Sequence, residues 1–157
     1  MEPVNTLRPL KNTVPLLFIG LPSGESVNLT KQRLELGKLG EDLAFKKIKR
    51  LGYKKIIRNY SCSLGEIDMI AMDDATLVFI EIKTRKNRST AYAKEAITER
   101  KKKQISKVAL AYINKNECHG IPARFDVVAI SLKDNKTKIE IIKNAFELAY
   151  GDTSSRI

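Results

Sequence analysis

The stretch of sequence that decides the fold is GEIDMIAMDDATLVFIEIKTR, which runs from Gly65 to Arg85. Apolar residues fill two runs of strand length, and Asp73–Ala75 between them predicts a hairpin turn. Charged residues interrupt both runs, with Asp68 in the first and Glu81 and Lys83 in the second. Because unpaired charge is costly to bury, we expect these three side chains to serve one purpose.

Strand geometry places the three charges together. Side chains two residues apart share a face, so Glu81 and Lys83 point the same way, and the hairpin register can bring Asp68 beside Glu81. Two neighbouring carboxylates repel each other. A divalent cation removes this conflict, and Mg²⁺ typically uses one or two carboxylates with waters and a substrate phosphate. Lys83 would hold a phosphate or favour deprotonation of a metal-bound water.

A helix is predicted upstream, in TKQRLELGKLGEDLAFKKIKRLGY, with an N-cap at Thr30 and a stop at Gly52. At 100° per residue one broad face contains Leu34, Gly37, Gly40, Leu43, Ala44, Ile48 and Leu51. Glu41 lies within that face, so a further carboxylate is directed at whatever the helix packs on. The glycines of this face permit close backbone approach.

The remaining elements complete an α/β pattern. The segment KKIIRNY predicts an entry or edge strand, and KEAITERKKKQISKVALAYINKN predicts a helix. Two further strands, RFDVVAISL and KIEIIKNAF, flank a turn at Asp134-Asn135. The order is one helix, three strands, one helix and two strands, which predicts an α/β sheet with helices on its faces.

These motifs resemble known nucleases. The spacing of Glu41, Asp68 and Glu81-x-Lys83 resembles the PD-(D/E)xK phosphodiesterase superfamily. More narrowly, residues 34–148 resemble the YraN-like family, predicted endonucleases related to archaeal Holliday junction resolvases, through LGKLGEDLA, RNYSCSLGEIDMIA, LVFIEIKTR, KKKQISKVALAYI and RFDVVAI. The resemblance implies a restriction-endonuclease-like core, a mixed β-sheet flanked by helices. It also implies that Glu41, Asp68, Glu81 and Lys83 form the site, although Ile67 stands where the superfamily has proline.

Other residues are weaker candidates for a role in the site. Gln104 lies on the helix after the ExK strand, from which related nucleases often bring a polar residue to the site, but it could equally be surface. Glu66 shares a strand face with Asp68 and could assist the metal or pair with a nearby cation. Arg124 and Asp126 stand two apart on a strand and predict an internal ion pair.

Basic residues predict a polyanionic partner. The chain of 157 residues has 29 Lys and Arg against 18 Asp and Glu, a net charge of +11, which favours nucleic acid over the rival interpretation of an anionic membrane surface. Phosphate contacts are expected from three residues after the catalytic strand, called here the loop cations, and from a lysine cluster on the second helix. The loop cations are Arg85, Lys86 and Arg88, and the lysine cluster is Lys101, Lys102 and Lys103. Tyr53, Tyr60 and Tyr92 could stack bases or pack in the core.

Other features narrow the class of protein. One domain is predicted at residues 31–150, after an extension at 1–30 that contains the apolar stretch VPLLFIGLP and before a tail at 151–157. No apolar run approaches the roughly 20 residues of a spanning helix, and the favoured interpretation includes no membrane partner. Cys62 and Cys118 indicate thiols of a reducing, cytoplasmic compartment. His119 is the only histidine, which argues against zinc and serine–histidine sites.

The sequence therefore predicts a Mg²⁺-dependent DNA endonuclease acting on branched or otherwise structured DNA, with Mn²⁺ as an alternative ion. A homodimer is expected if both strands of a junction are cut. Two alternatives stay open: a nucleic-acid-binding protein on a nuclease fold without turnover, and a membrane-surface or scaffolding protein that uses the charge and the apolar stretch.

Overall fold

The computed structural model describes residues 23–92 and 96–149, so the apolar stretch at 14–22 and the tail at 151–157 lie outside it. Within these ranges, two helices and five strands follow in the predicted order. They are α1 (Ser23–Arg50), β1 (Lys54–Cys62), β2 (Gly65–Asp73), β3 (Thr76–Lys86), α2 (Glu99–Lys115), β4 (Ala123–Lys133) and β5 (Lys136–Phe146).

All five strands form one mixed sheet in the order β1-β2-β3-β4-β5. Three pairs of neighbours are antiparallel, while β3 and β4 run parallel, with Glu81 opposite Val127. A parallel pair needs a crossover, and α2 supplies it. The sheet is flanked by helices, so the predicted α/β class is confirmed and the architecture is compatible with a restriction-endonuclease-like core.

The core has a layer on each face of the sheet. Ala44 and Ile48 of α1 pack with Met69, Val78 and Ile80 on one face. A second layer joins α2 to the opposite face and contains Ile67, Ile70, Leu77, Phe79, Ile105, Val108, Ala109 and Phe125. Alternation along β3 thus divides its apolar residues between the layers.

From residue 28 onward, the part of α1 that packs on the sheet is its second half. The helix begins at Ser23 rather than at the predicted cap Thr30, and residues 28–39 are exposed apart from the half-buried Leu36. Leu34 is 70% exposed and Leu51 is 52% exposed, so the prediction that both belong to the packed face was wrong. The predicted face is correct only from Gly40 to Ile48, where the sheet lies beneath it.

Two predicted turns are confirmed, and one predicted helix start is wrong. The β2–β3 turn follows Asp73, and in the β4–β5 turn Asp134 and Asn135 have φ angles of 49° and 56°, which these residue types tolerate. The second helix begins at Glu99, about a turn later than predicted, because Thr98 caps it by accepting a hydrogen bond from the Lys101 amide at 3.3 Å. Of the predicted segment, residues 94 and 95 lie outside the described part of the chain.

A buried ion network closes the end of the sheet near the β2–β3 turn. Arg124 Nε donates to both carboxylate oxygens of Asp126, at 3.0 and 3.1 Å, which confirms the predicted internal pair. Its guanidinium also pairs with Asp73, which Lys143 contacts at 2.8 Å. Cys62 and Cys118 are free thiols. In residues 23–92 and 96–149, neither helix is long and apolar enough to span a bilayer.

Candidate active site

The site lies where β2 and β3 separate. The last paired residues of the two strands are Met69 and Ile80, and one residue further Asp68 and Glu81 face each other in register. There the Ile82 amide donates to Asp68 Oδ2 at 2.7 Å. Just beyond the last paired residues, a side chain of β2 thus hydrogen-bonds to the backbone of β3.

Glu81 is a buried carboxylate in the central part of the sheet, with only 3% of its surface exposed. Lys83 Nζ donates to Glu81 Oε1 at 2.6 Å, so the predicted shared face of these residues is confirmed. Lys101 Nζ lies 3.3 Å from Oε2, near enough for an ion pair but without hydrogen-bond geometry. Oε2 consequently has no hydrogen-bond partner among the described residues.

The pKa of Asp68 reflects this environment. Burial raises it from 3.8 to about 6, and the charge of Glu81 adds to the increase. The hydrogen bond from Ile82 and the charges of Lys101 and Lys83 act in the opposite direction without cancelling it. Two carboxylates that repel each other, one of them with a buried oxygen that accepts no hydrogen bond within the described residues, are suited to hold a cation.

An open cleft of about 560 Å³ contains this pair and the predicted partners. Five cationic and four carboxylate side chains line it. They are Arg33, Lys83, Arg85, Lys86 and Lys101, with Glu41, Glu66, Asp68 and Glu81. The structure therefore brings Glu41, Asp68, Glu81 and Lys83 to one cleft, and Glu66 joins them at its exposed rim.

Glu41 lines the cleft, but its carboxylate also engages β1. Asn59 Nδ2 donates to Glu41 Oε2 at 3.1 Å, and the Arg58 guanidinium lies 3.9 Å from the same oxygen. Among the residues the structure describes, no three acidic, histidine or cysteine side chains converge as a ready metal site. The ligand role expected of Glu41 stays a prediction.

The donor set fits Mg²⁺ with two carboxylates. Asp68 and Glu81 offer hard oxygen ligands, and Glu81 Oε2 is a buried oxygen that lacks a donor. Mg²⁺ usually keeps several waters and takes only one or two protein carboxylates beside a substrate phosphate. The absence of a third converging ligand in the described residues is therefore compatible with the ion.

A close approach between α1 and β3 forms one wall of the cleft. A Cβ atom at Gly40 would stand 1.9 Å from Thr84 Oγ1, so only glycine fits beside this β3 residue. The predicted close approach is confirmed at Gly40 and wrong at Gly37, where a Cβ would meet nothing within 4 Å. Because Glu41 follows Gly40, this contact also fixes where its carboxylate enters the cleft.

Gln104 is placed beside the site rather than in it. Its amide Nε2 would be 2.3 Å from a Cβ at Gly65, whose φ of +135° already requires glycine. Gln104 does not contribute to the lining of the cleft. The structure therefore gives it a packing contact with the start of β2, and its predicted catalytic role finds no support here.

The predicted phosphate-binding residues divide into those that line a cavity and those that lie outside both cavities. Arg85, Lys86 and Lys101 line the cleft, and Arg88 lines a smaller pocket beside it. Lys102 pairs with Glu99 at 2.6 Å, and Lys103 is exposed outside the cleft.

Sequence reasoning missed one cleft residue and the ion pair made by another. Lys101 was predicted to contact phosphate but not to pair with Glu81, although its spacing of four and seven residues from Ile105 and Val108 places it on the packed face of α2. Arg33 lies on the exposed half of α1, and its sequence context carried no signal for a role in the cleft.

Together the fold and the site define an α/β protein whose mixed sheet holds a pair of largely buried carboxylates among cations, at the base of an open cleft. The chain belongs to the uncharacterised protein family UPF0102, whose model matches residues 40–130. This confirms the YraN-like family resemblance, and the matched range contains every residue of the carboxylate pair and its lysines.

Bacterial relatives support the same assignment along most of the chain. A UPF0102 protein of Syntrophus aciditrophicus is 45% identical over 120 residues, which cover 76% of this chain and 94% of that protein. A UPF0102 protein of Geobacter sulfurreducens is 45% identical over 131 residues, which cover 83% of this chain and all of the relative. A third, from Caldicellulosiruptor saccharolyticus, is 40% identical over 114 residues, covering 71% of this chain and 97% of the relative.

Proposed function

We propose that this protein is a Mg²⁺-dependent DNA endonuclease of the PD-(D/E)xK type, which hydrolyses phosphodiester bonds in branched or otherwise structured DNA. The observation that carries the proposal is the pair of carboxylates, Asp68 and Glu81. Burial and mutual repulsion raise the pKa of Asp68 to about 6, while Glu81 keeps a buried oxygen without a donor. Such an arrangement costs stability, which a bound cation would recover.

Asp68 and Glu81 would hold the ion, with Glu41 as the candidate third contributor from α1. When bound, Mg²⁺ supplies positive charge to a phosphate oxygen and lowers the pKa of a water molecule. Mn²⁺ has similar ligand preferences and is expected to substitute for it.

Lys83 supplies the second chemical element. Its ammonium is held 2.6 Å from Glu81 Oε1 and lines the cleft, so it can donate a hydrogen bond to the attacking water or to a phosphate oxygen. In the reaction the water oxygen loses a proton to solvent and forms a new bond to phosphorus, the bond to the leaving sugar oxygen breaks, and that oxygen takes a proton from solvent. Lys83 thereby stabilises negative charge as it develops on the phosphate.

Positive charge around the cleft supports DNA as the substrate. The net charge is +11, and Arg33, Arg85, Lys86 and Lys101 surround the carboxylate pair. Contacts of this kind to backbone phosphates position a duplex without reading its sequence. Cleavage of both strands of a junction would call for a two-fold dimer.

The test is a nuclease panel of single-stranded, duplex, flap and four-way-junction DNA with Mg²⁺, Mn²⁺ or EDTA. We expect metal-dependent cleavage by the wild type, and losses of at least about a hundredfold in Asp68→Asn, Glu81→Gln and Lys83→Ala. DNA binding should persist in all three variants. The matched control is Asp74→Asn, which removes a carboxylate from the exposed β2–β3 turn, where the φ of 51° suits asparagine.

The alternative function is binding of nucleic acid without turnover. It is favoured by one observation: Lys83 and Lys101 already neutralise Glu81 in the metal-free protein. Salt-dependent DNA binding with no cleavage of any substrate, together with unfolding of the three variants, would establish this alternative. Binding to anionic liposomes but not to DNA would instead point to a membrane surface.

A further inference from the structure

A second, smaller pocket adjoins the cleft and shares two cations with it. Lys83 and Arg85 line both cavities. The smaller one, called here the side pocket, has a volume of about 90 Å³. Its other lining residues are Arg88, Ser89, Thr90, Tyr92, Ala96, Ala129 and Ile130.

Tyr92 is the distinctive residue of the side pocket. Among the four tyrosines in the described ranges, it is the one that is largely exposed, at 60%. Tyr53 is 5% exposed, with its hydroxyl 3.1 Å from an Arg124 nitrogen. Tyr60 and Tyr112 pack edge to face against each other, with their ring centres 5.1 Å apart. The three tyrosines that sequence reasoning left open as base-stacking candidates thus reduce to one.

The loop that carries the side pocket is anchored to the sheet. The Asn87 amide donates to the Leu132 carbonyl at 3.0 Å, and the Ser131 hydroxyl donates to the Arg88 carbonyl. The buried Thr90 hydroxyl donates to a Glu140 carboxylate oxygen at 2.6 Å. Tyr92 therefore lies two residues after a segment that is hydrogen-bonded to β4 and β5, and this segment brings it to the rim of the side pocket.

The chemistry of this arrangement matches one nucleotide. Arg85 and Arg88 can contact phosphates, the buried Ala129 and Ile130 form an apolar floor, and the Tyr92 ring offers a face for stacking. A pocket of about 90 Å³ is too small to enclose a nucleotide, so the base would lie at its mouth. We infer that the side pocket binds an unpaired nucleobase next to the phosphate held in the cleft, with Tyr92 stacking on the base.

This inference rests on the proposed function and specifies its substrate. In a fully paired duplex both faces of each base are covered by neighbouring bases, so Tyr92 could stack only after extruding a base, at an energetic cost. At a flap, gap or fork the base is already free. The subsite therefore selects DNA with an unpaired nucleotide beside the attacked phosphate, and stacking of this kind is tolerant of base identity.

The experiment measures binding in EDTA, so that it does not depend on cleavage. The probes are a flap carrying 2-aminopurine, a fluorescent adenine analogue, at its first unpaired nucleotide and a duplex carrying it inside the helix. We expect the wild type to prefer the flap and to change its fluorescence. Tyr92→Ala should weaken flap binding by at least about fivefold and leave duplex binding within about twofold.

Two controls keep the result specific. Tyr92→Phe retains the ring and should behave as the wild type. Leu51→Ala removes exposed apolar surface just after the end of α1, about 15 Å of helix length away from Glu41, and should change neither probe. Equal loss on both probes, or no loss on either, overturns the subsite even if the enzyme cleaves DNA. Flap preference that depends on Tyr92 upholds the subsite even if no substrate is cleaved.

Discussion

Replacing Asp68 by asparagine should make the metal-free protein more stable at alkaline pH. The Asp68 carboxylate is held beside Glu81 and is mostly buried, so its ionised form is unfavourable in the folded state. Asparagine has nearly the same shape and keeps an oxygen that can accept the hydrogen bond of 2.7 Å from the Ile82 amide. The substitution therefore removes the unfavourable charge while keeping the local structure.

The size and sign of the effect follow from the pKa of Asp68. In the folded protein it is about 6 against an ordinary 3.8, so the folded state holds this proton more tightly than the unfolded chain does. Ionisation then opposes folding: the penalty is absent below about pH 4, grows towards pH 6 and is complete above it. About 2 pH units at 1.36 kcal/mol each give an upper value of about 3 kcal/mol.

Thermal unfolding in EDTA at pH 4 and pH 8 measures this penalty. For a chain of this size, about 3 kcal/mol corresponds to a rise in melting temperature of roughly 6–12 °C. We expect that rise at pH 8 for Asp68→Asn, a negligible change at pH 4, and little change at either pH for Asp74→Asn. Added Mg²⁺ should stabilise the wild type more than Asp68→Asn, because it binds only where both ligands are present.

Two results would refute the reasoning about Asp68. A loss of stability at pH 8 would mean that its ionised carboxylate is a satisfied structural partner of the nearby lysines. An equal gain at both pH values would mean that the substitution acts through packing and that the charge of Asp68 is irrelevant to folding.

Three further predictions test other parts of the cleft. Replacing all loop cations by alanine should reduce the slope of log K against log salt for DNA binding by at least about one, and an unchanged slope would mean that DNA does not cross this loop. Gly40→Ala should destabilise the protein by about 1–3 kcal/mol through collision with Thr84. In a denaturant titration, Thr84→Ala should recover part of that loss, whereas additive losses would exclude the contact as the cause. Lys101→Ala should cost about 1–3 kcal/mol at pH 7 because Glu81 loses a partner, while Lys102→Ala, which disturbs only an exposed pair, should cost less than about 1 kcal/mol. Equal costs for the two lysines would show that the contact with Glu81 contributes nothing.

The sequence was most informative where a local rule determined geometry. The period of two along a strand placed Glu81 and Lys83 on one face, and the short β2–β3 turn set the register that brings Asp68 opposite Glu81. Both features depend on residues near each other in the chain. They could be predicted without knowing how the helices pack.

Features that depend on rotation or position of a whole helix were less predictable. The stretch before Thr30 contains several residues that can cap a helix, and its sequence has no apolar periodicity to show where α1 begins. Gln104 was expected at the site, but which residue of α2 reaches the carboxylates depends on how this helix is rotated over β2, and Lys101 is the one that lies 3.3 Å from Glu81 Oε2. Leu34 lies on the apolar face of α1 by its helical spacing. The spacing does not show, however, that the sheet beneath this face ends before Leu34.

The parallel pairing of β3 with β4 also has a consequence for folding kinetics. β1, β2 and β3 form a local meander and β4 with β5 a local hairpin, whereas β3 and β4 can meet only after residues 87–122 have closed a long connection. Non-local pairings of this kind form slowly. Asp68 and Glu81 should therefore become neighbours early, within the meander, and lose their hydration only in the slow step that pairs β3 with β4. Because the cost of desolvating the ionised carboxylates then raises the barrier to folding, raising the pH should slow refolding more than it accelerates unfolding. Stopped-flow measurements in which only the unfolding rate responds to pH would contradict this order of assembly.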